Sequence, residues 1–210
     1  NYHVVYDANS VGTETVSHIS DDITVYLYGG EAATGEIKAT YVGGAMDYDI
    51  AVLKVEGSEI LRESSAREVT AANSDALTVG ERVYAIGNPE GNGIALSSGV
   101  VSVDAEYITV ESSDEQSYLE LLEIRTDAPI NHGNSGGGLF NADGQLIGIV
   151  NAKTEESGVE GVGFAIPSNL ALSVAQNILD NQSSGSRGAL RATLGIMTSV
   201  KDSKSVFDEA

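Results

Sequence analysis

The chain has 210 residues, 41% of them apolar, enough for a buried core and inconsistent with a disordered polymer. Its 31 acidic residues outweigh 11 basic ones, and a net charge of −20 excludes nucleic acid and anionic lipid as expected partners. With no cysteine there is no disulfide, no thiolate metal site and no cysteine nucleophile, and no apolar run is long enough to span a membrane.

Glycine is abundant at 24, proline scarce at 3, and Val, Ile, Thr and Tyr recur in short runs, which predicts short strands joined by turns. The sequence opens at "NYHVV" without a methionine, so an upstream part is expected. The first strand signals are "ITVYLY" (23–28), ended by Gly29–Gly30, then "GEIKATYVGG" (35–44) and "DIAVLKV" (49–55). In the last, Ile50 and Val52 share one face, Ala51 and Leu53 the other, so its start is expected to be buried on both sides. Residues 56–76 are polar and read as a surface connection with, at most, a helical turn.

A second strand series runs through "ERVYAIGNP", "IALSSGVVSVDA", "YITVES", "YLELLEIRTDAPI", "GGLFNADGQLIGIVNA" and "GVGFAIP". Within it "NADGQ" (141–145) predicts a hairpin turn with Asp-Gly at its tip. After Pro167 the period changes. Leu170, Ala171, Val174, Ala175, Ile178 and Leu179 fall at helical spacing, with Ser168 as the expected N-cap. "SSGSRG" (183–188) reads as a linker, and "ATLGIMTSV" beyond it as one more strand. About a dozen strands and one late helix predict an all-β fold of barrels or sandwiches.

The chemistry concentrates at residues 131–138, "NHGNSGGG". A lone serine among glycines suits a nucleophile on a tight turn whose backbone amides face an oxyanion. Such a serine needs a base, and the three histidines, His3, His18 and His132, all precede Ser135. "GNSGG" also matches the G-x-S-x-G elbow, but that class places its histidine after the serine, so the match fails here. The order His, Asp, Ser is that of the two-barrel serine proteases. On the residues alone His132 would have to fold back over its own loop, His18 lies in a loop, and His3 precedes an apolar run. The carboxylate that orients the base is Asp49, at the head of a buried strand, or its neighbour Asp47.

Taken together, "NYHVV", "DIAVLKV", "AIGNPEG", "SSGVVS", "IRTDAPINHGNSGGGLFNADGQLIGIV" and "GVGFAIPSN" resemble, in that order, the HtrA/Deg family of trypsin-like serine proteases over residues 1 to about 182. The resemblance implies a double six-stranded antiparallel β-barrel with the site in the cleft between the barrels, and one C-terminal helix. It divides the chain into an N-terminal barrel (1–76) lacking its first strands, a C-terminal barrel plus helix (77–182), and a linker with the stub of a PDZ domain (183–210). It implies His3 as general base, Asp49 as its orienter and Ser135 as nucleophile. The oxyanion hole would lie in the turn Gly133, Asn134 and Ser135, with the Gly133 and Ser135 amides as donors. Ile130 and the segment Ile149, Val150 and Asn151 would line the pocket for the residue before the scissile bond, and small or medium aliphatic side chains would fit it. No cofactor and no metal are implied. The implied substrates are unfolded or misfolded polypeptides, in protein quality control by a homotrimer in the cell envelope or outside the cell, with the anchor absent from this chain. A catalytically silent double-barrel binding protein or chaperone is the alternative. The chain departs from the family in carrying His132 where Pro or a basic residue is usual. It also has a long His3-to-Asp49 interval, which suggests an insertion within Tyr6–Asp22. The early position of His3 implies a frayed base.

Overall fold

The computed structural model describes residues 1–11, 18–27, 36–91, 93–152 and 161–181. The first half is a three-stranded antiparallel sheet, β1 (Ile23–Val25), β2 (Ile37–Ala45) and β3 (Ile50–Lys54), in sequential order. Of the expected six strands of the N-terminal barrel, three are thus present among the described residues. β3 is buried at Ile50 and emerges to exposed Leu53 and Lys54, so its start alone is enclosed.

The second half meets expectation. β4 (Arg82–Gly87), β5 (Ala95–Glu111), β6 (Tyr118–Thr126), β7 (Gly138–Phe140), β8 (Leu146–Asn151) and β9 (Gly163–Pro167) form a closed barrel in the order β4-β5-β6-β9-β8-β7. Closure comes from β7 returning to pair with β4, Leu139 opposite Ala85. β5 is 17 residues long, and its pairing to β6 slips twice between Val101 and Glu106. Bulges of this kind bend a strand, so one segment can serve both β4 and β6. The predicted turn at Asn141–Gln145 joins β7 to β8, with Gly144 at φ 73° and the Asn141 side chain holding the Asp143 and Gln145 amides. Inside the barrel, Val83, Val101, Ile124, Leu139, Ile147 and Val150 form a fully buried core.

Three short or long helices occur among the described residues, where one was expected: α1 (Tyr2–Val5), α2 (Glu59–Glu63) and α3 (Ser168–Asn181). "NYHVV" is therefore one helical turn. Its seat is Gly44 of β2, where an added Cβ would stand only 2.7 Å from the Tyr2 ring. Nor is it frayed, since Tyr2 N donates to the Asp49 carbonyl at 3.0 Å. α2 lies in the predicted surface connection, its first turn capped by Ser58, whose hydroxyl accepts from Leu61 N. Residues 6–7 and 18–19 meet, because Tyr6 bridges Ile19 and Asp7 N donates to the His18 carbonyl.

α3 follows Pro167 as its periodicity requires, but Ser168 is not its N-cap. Ser168 is the first helical residue, fully buried, and its hydroxyl donates to the Ala72 carbonyl. The orphan amide of Asn169 is instead met by the Ser74 hydroxyl at 3.0 Å, so the connection between the halves caps the helix in trans. The apolar stripe of α3, Ala171, Val174 and Ile178, packs with Ile50 of the first sheet and Ile166 of the barrel in a second core. This core joins the halves. The expected linker and strand at 183–210 lie outside the described residues.

Ile178 is 0% exposed at the centre of that second core. Ile178→Ala should lower stability by about 3 kcal/mol, read as a shift of the urea midpoint with unchanged slope.

Candidate active site

Asp49 is held by its backbone before its side chain acts. It ends the 3-10 turn Met46–Tyr48 at φ 52°, in the left-handed region that Asp and Asn tolerate better than most residues, and starts β3. That bend puts its carboxylate, 4% exposed, beneath α1. One oxygen, Oδ1, accepts from His3 N at 2.8 Å. The other, Oδ2, meets His3 Nδ1 at 2.6 Å and accepts from Asn1 Nδ2 at 3.0 Å. A carboxylate so placed fixes the imidazole's orientation and the tautomer with the proton on Nδ1, which leaves Nε2 as the basic nitrogen. Asp47, the rival, lies within the 3-10 turn, and β3 begins directly after Asp49.

The other histidines are elsewhere. His18 sits at φ 60°, its Nδ1 3.3 Å from the Ala8 carbonyl oxygen and its ring 6.0 Å from that of Tyr6. His132 is exposed on the turn before Ser135.

Ser135 stands on a loop whose backbone is tied to β8. Gly136 N donates to the Val150 carbonyl at 3.0 Å, and Val150 N donates to the Gly137 carbonyl at 2.8 Å. Gly137 must be glycine, because a Cβ there would run into the Ile86 carbonyl of β4. Gly136 faces the base's end of the chain, since a Cβ on it would lie 3.5 Å from Asn1 N. The structure therefore brings the Ser135 loop against the segment carrying His3. It does not join the two side chains: the Ser135 hydroxyl accepts from Ala152 N at 3.1 Å, and no His3–Ser135 hydrogen bond is formed.

The turn itself has Gly133 at φ 91°, a conformation that favours glycine. Among the described residues no acceptor meets the Gly133 or Ser135 amide, whereas Asn134 N is occupied by the Asn131 carbonyl at 3.0 Å. Two of the three residues expected at the oxyanion hole thus offer a donor, and Asn134 does not. Its side chain is buried, packed where Gly87 leaves no room for a Cβ.

The residues expected to line the specificity pocket are enclosed and lie outside the lining of the open cleft. Ile130 and Val150 belong to the barrel core, Asn151 is fully buried, and Ile149 packs on the second core. A cleft of about 680 Å³ opens instead beside Gly133 and Gly137, walled by Thr24, Tyr26 and Leu27 from the first half and by Ile86, Asn88 and Ile94 from the barrel. No group of three or more potential metal ligands occurs among the described residues.

Sequence reasoning missed Glu123. It is 0% exposed on β6, accepts from Asn151 Nδ2 at 2.9 Å through Oε1, and has no partner for Oε2 among the described residues. Burial, opposed by the Asn151 hydrogen bond and reinforced by nearby Asp49, pushes its carboxyl up to about 8. The available signal was the run "LELLEI", in which consecutive leucines break strict alternation around a glutamate.

The Trypsin-like peptidase domain family matches residues 1–149. The chain is 39% identical over 183 residues to the serine protease Do-like HtrB of Bacillus subtilis, covering 86% of this chain and 35% of that protein. It is 39% identical over 181 residues to a probable periplasmic serine protease do/HhoA-like of Haemophilus influenzae, covering 84% of this chain and 36% of that protein. Among solved structures, the HtrA-type protease AlgW S227A with a decapeptide superposes with a TM-score of 0.60 at 37% identity, covering 77% of this chain and 45% of that one. The chain belongs to the trypsin-like peptidase family, and within it to the HtrA-type serine proteases. It spans about a third of the length of the curated relatives it matches.

Two stability measurements test these contacts. Asp49→Ala removes the acceptor of three donors and strains a left-handed residue, and should cost about 3 kcal/mol in urea unfolding, while Asp49→Asn, which tolerates that backbone, should cost less. Glu123 holds its proton in the fold up to about 8 against 4.5 in the unfolded chain, so its stabilising contribution is complete below 4.5 and lost as pH rises to about 8. The melting temperature of the parent should fall between pH 5 and 8 relative to that of Glu123→Gln.

Proposed function

We propose that the chain is the catalytic part of an HtrA-type serine endopeptidase that cleaves unfolded or misfolded polypeptides through an acyl-enzyme. The observation that carries this reading is the buried Asp49 carboxylate gripping His3 Nδ1 at 2.6 Å beside the glycine loop of Ser135. His3 takes the Ser135 proton as the oxygen attacks a peptide carbonyl, and Asp49 stabilises the imidazolium that forms. The unpartnered amides of Gly133 and Ser135 receive the oxyanion, each worth about 3 kcal/mol of barrier. His3 then returns the proton to the leaving amine, and water, activated by the same base, releases the acyl group.

For this chemistry the Ser135 hydroxyl turns from Ala152 N towards His3 Nε2. A peptide lying along the 680 Å³ cleft reaches Gly133 from the side of Ile86 and Ile94, both partly exposed. The substrate class is supported by the solved relatives, which hold a decapeptide in one structure and a tripeptide in another. No acidic side chain from the residues read as the pocket, Ile130 and Ile149–Asn151, would greet a basic group, so aliphatic residues before the scissile bond are favoured. We place the longer protein in the cell envelope as a homotrimer, the location resting on relatives named periplasmic and the trimer on the family resemblance.

Ser135→Ala should abolish cleavage of casein and labelling by a fluorophosphonate, and Asp49→Asn should lower kcat about 10⁴-fold with the fold retained. Casein cleavage surviving in Ser135→Ala would disprove the nucleophile. An unlabelled but folded parent would favour a silent binding protein.

A further inference from the structure

The pair Glu123–Asn151 joins strands that are not neighbours. In the barrel order β9 lies between β6 and β8, so the 2.9 Å hydrogen bond from Asn151 Nδ2 to Glu123 Oε1 spans a strand. It crosses the face of β9 that carries Ile166, the face turned to the first sheet, where Ile149 and Ile166 join the second core. The residues flanking Asn151 are the ones that hold the nucleophile's loop: Val150 exchanges hydrogen bonds with Gly136 and Gly137, and Ala152 N donates to the Ser135 hydroxyl. β8 ends at Asn151. Among the described residues the ladder ends at the Asn151–Phe164 pairing, and the Asn151 side chain adds its bond to Glu123 at that point.

We propose that Glu123 is a positioning residue for catalysis, bracing the end of β8 through Asn151 so that the Ser135 loop keeps its place against the His3–Asp49 pair. This rests on the reading of Ser135 as nucleophile. The brace works while Glu123 is neutral. Its surroundings offer no counter-charge of its own. Asp49, bonded to His3, repels an ionised Glu123; the preceding turn adds Asp47 and Tyr48; Glu106, its register partner on β5, lies 3.1 Å from Arg125. β9 and β8 bring no titratable side chain. An ionised Glu123 keeps Asn151 as its one donor, must gain water for its remaining lone pairs and is repelled by Asp49, so it moves and takes the end of β8 with it.

The test uses the full protein with Glu123→Gln, Glu123→Leu and Ser135→Ala. The readouts are the fluorophosphonate labelling rate from pH 5 to 10, hydrolysis of a peptide substrate, and melting temperature. Glu123→Gln retains an acceptor for Asn151 and should be labelled within about twofold of the parent rate at pH 7. Glu123→Leu fills the space without an acceptor and should be labelled at least tenfold more slowly, although it melts no more than a few degrees lower. The parent should lose labelling along an alkaline limb near pH 8 that Glu123→Gln lacks. Parental labelling of Glu123→Leu, equal impairment of the Gln and Leu variants, or the same alkaline limb in parent and Gln variant would each overturn the proposal. Should Glu123→Leu fail to fold, the comparison of the two alkaline limbs decides. Hydrolysis persisting in Ser135→Ala would refute the nucleophile itself, a distinct failure.

Discussion

Everything at the site depends on one buried anion. The Asp49 carboxylate accepts from the His3 amide, the Asn1 carboxamide and the His3 ring, and so gathers the first turn of the chain onto the head of β3. A buried carboxylate is tolerable only if its lone pairs are met, and here the groups that meet it include the His3 ring. Folding and the orientation of that ring are therefore the same set of hydrogen bonds. The left-handed backbone at Asp49 adds a constraint on residue type that is separate from charge.

Ser135 is positioned by a different principle. Gly136 and Gly137 carry no side chain, so β4 and β8 can approach the backbone there directly. Gly137 sits against the Ile86 carbonyl, and Gly136 and Val150 are hydrogen-bonded. The barrel's closure makes this approach possible, because β7, the strand that emerges from the loop, pairs with β4 on one side and β8 on the other. The hydroxyl accepts from Ala152 N.

Strand periodicity, the Asp-Gly hairpin and the helix after Pro167 were legible because each is a local pattern with a local cause. His3, Asp49 and Ser135 were read as a set from their chain order and from the resemblance that surrounds them; the structure joins the first two side chains, while the Ser135 hydroxyl bonds to Ala152 N. What was not legible depended on partners far along the chain. Ser168 resembles an N-cap, yet its hydroxyl is taken by Ala72 and the capping falls to Ser74. "NYHVV" has apolar residues suited to a strand, but Gly44 and the Asp49 carbonyl seat it as a helical turn. Asn134 looks like a member of the oxyanion turn, and its amide is closed by Asn131. Ile130 and Val150, read as pocket positions, pack in the barrel core. Glu123 carries only the broken alternation of "LELLEI" as a mark of burial, and a glutamate in a strand of mixed pattern is ordinarily solvated.

The connection between the halves has a consequence of its own. Its early part, around α2, is exposed, but residues 70–74 are sewn to the rest. Leu146 N donates to Thr70, Ala72 N to Leu146, and Ser168 and Asn169 bond to Ala72, Asn73 and Ser74. α3 in turn packs on the first sheet. A protease nicking the chain near Arg62 would cut one covalent link and leave the interlocked pieces together.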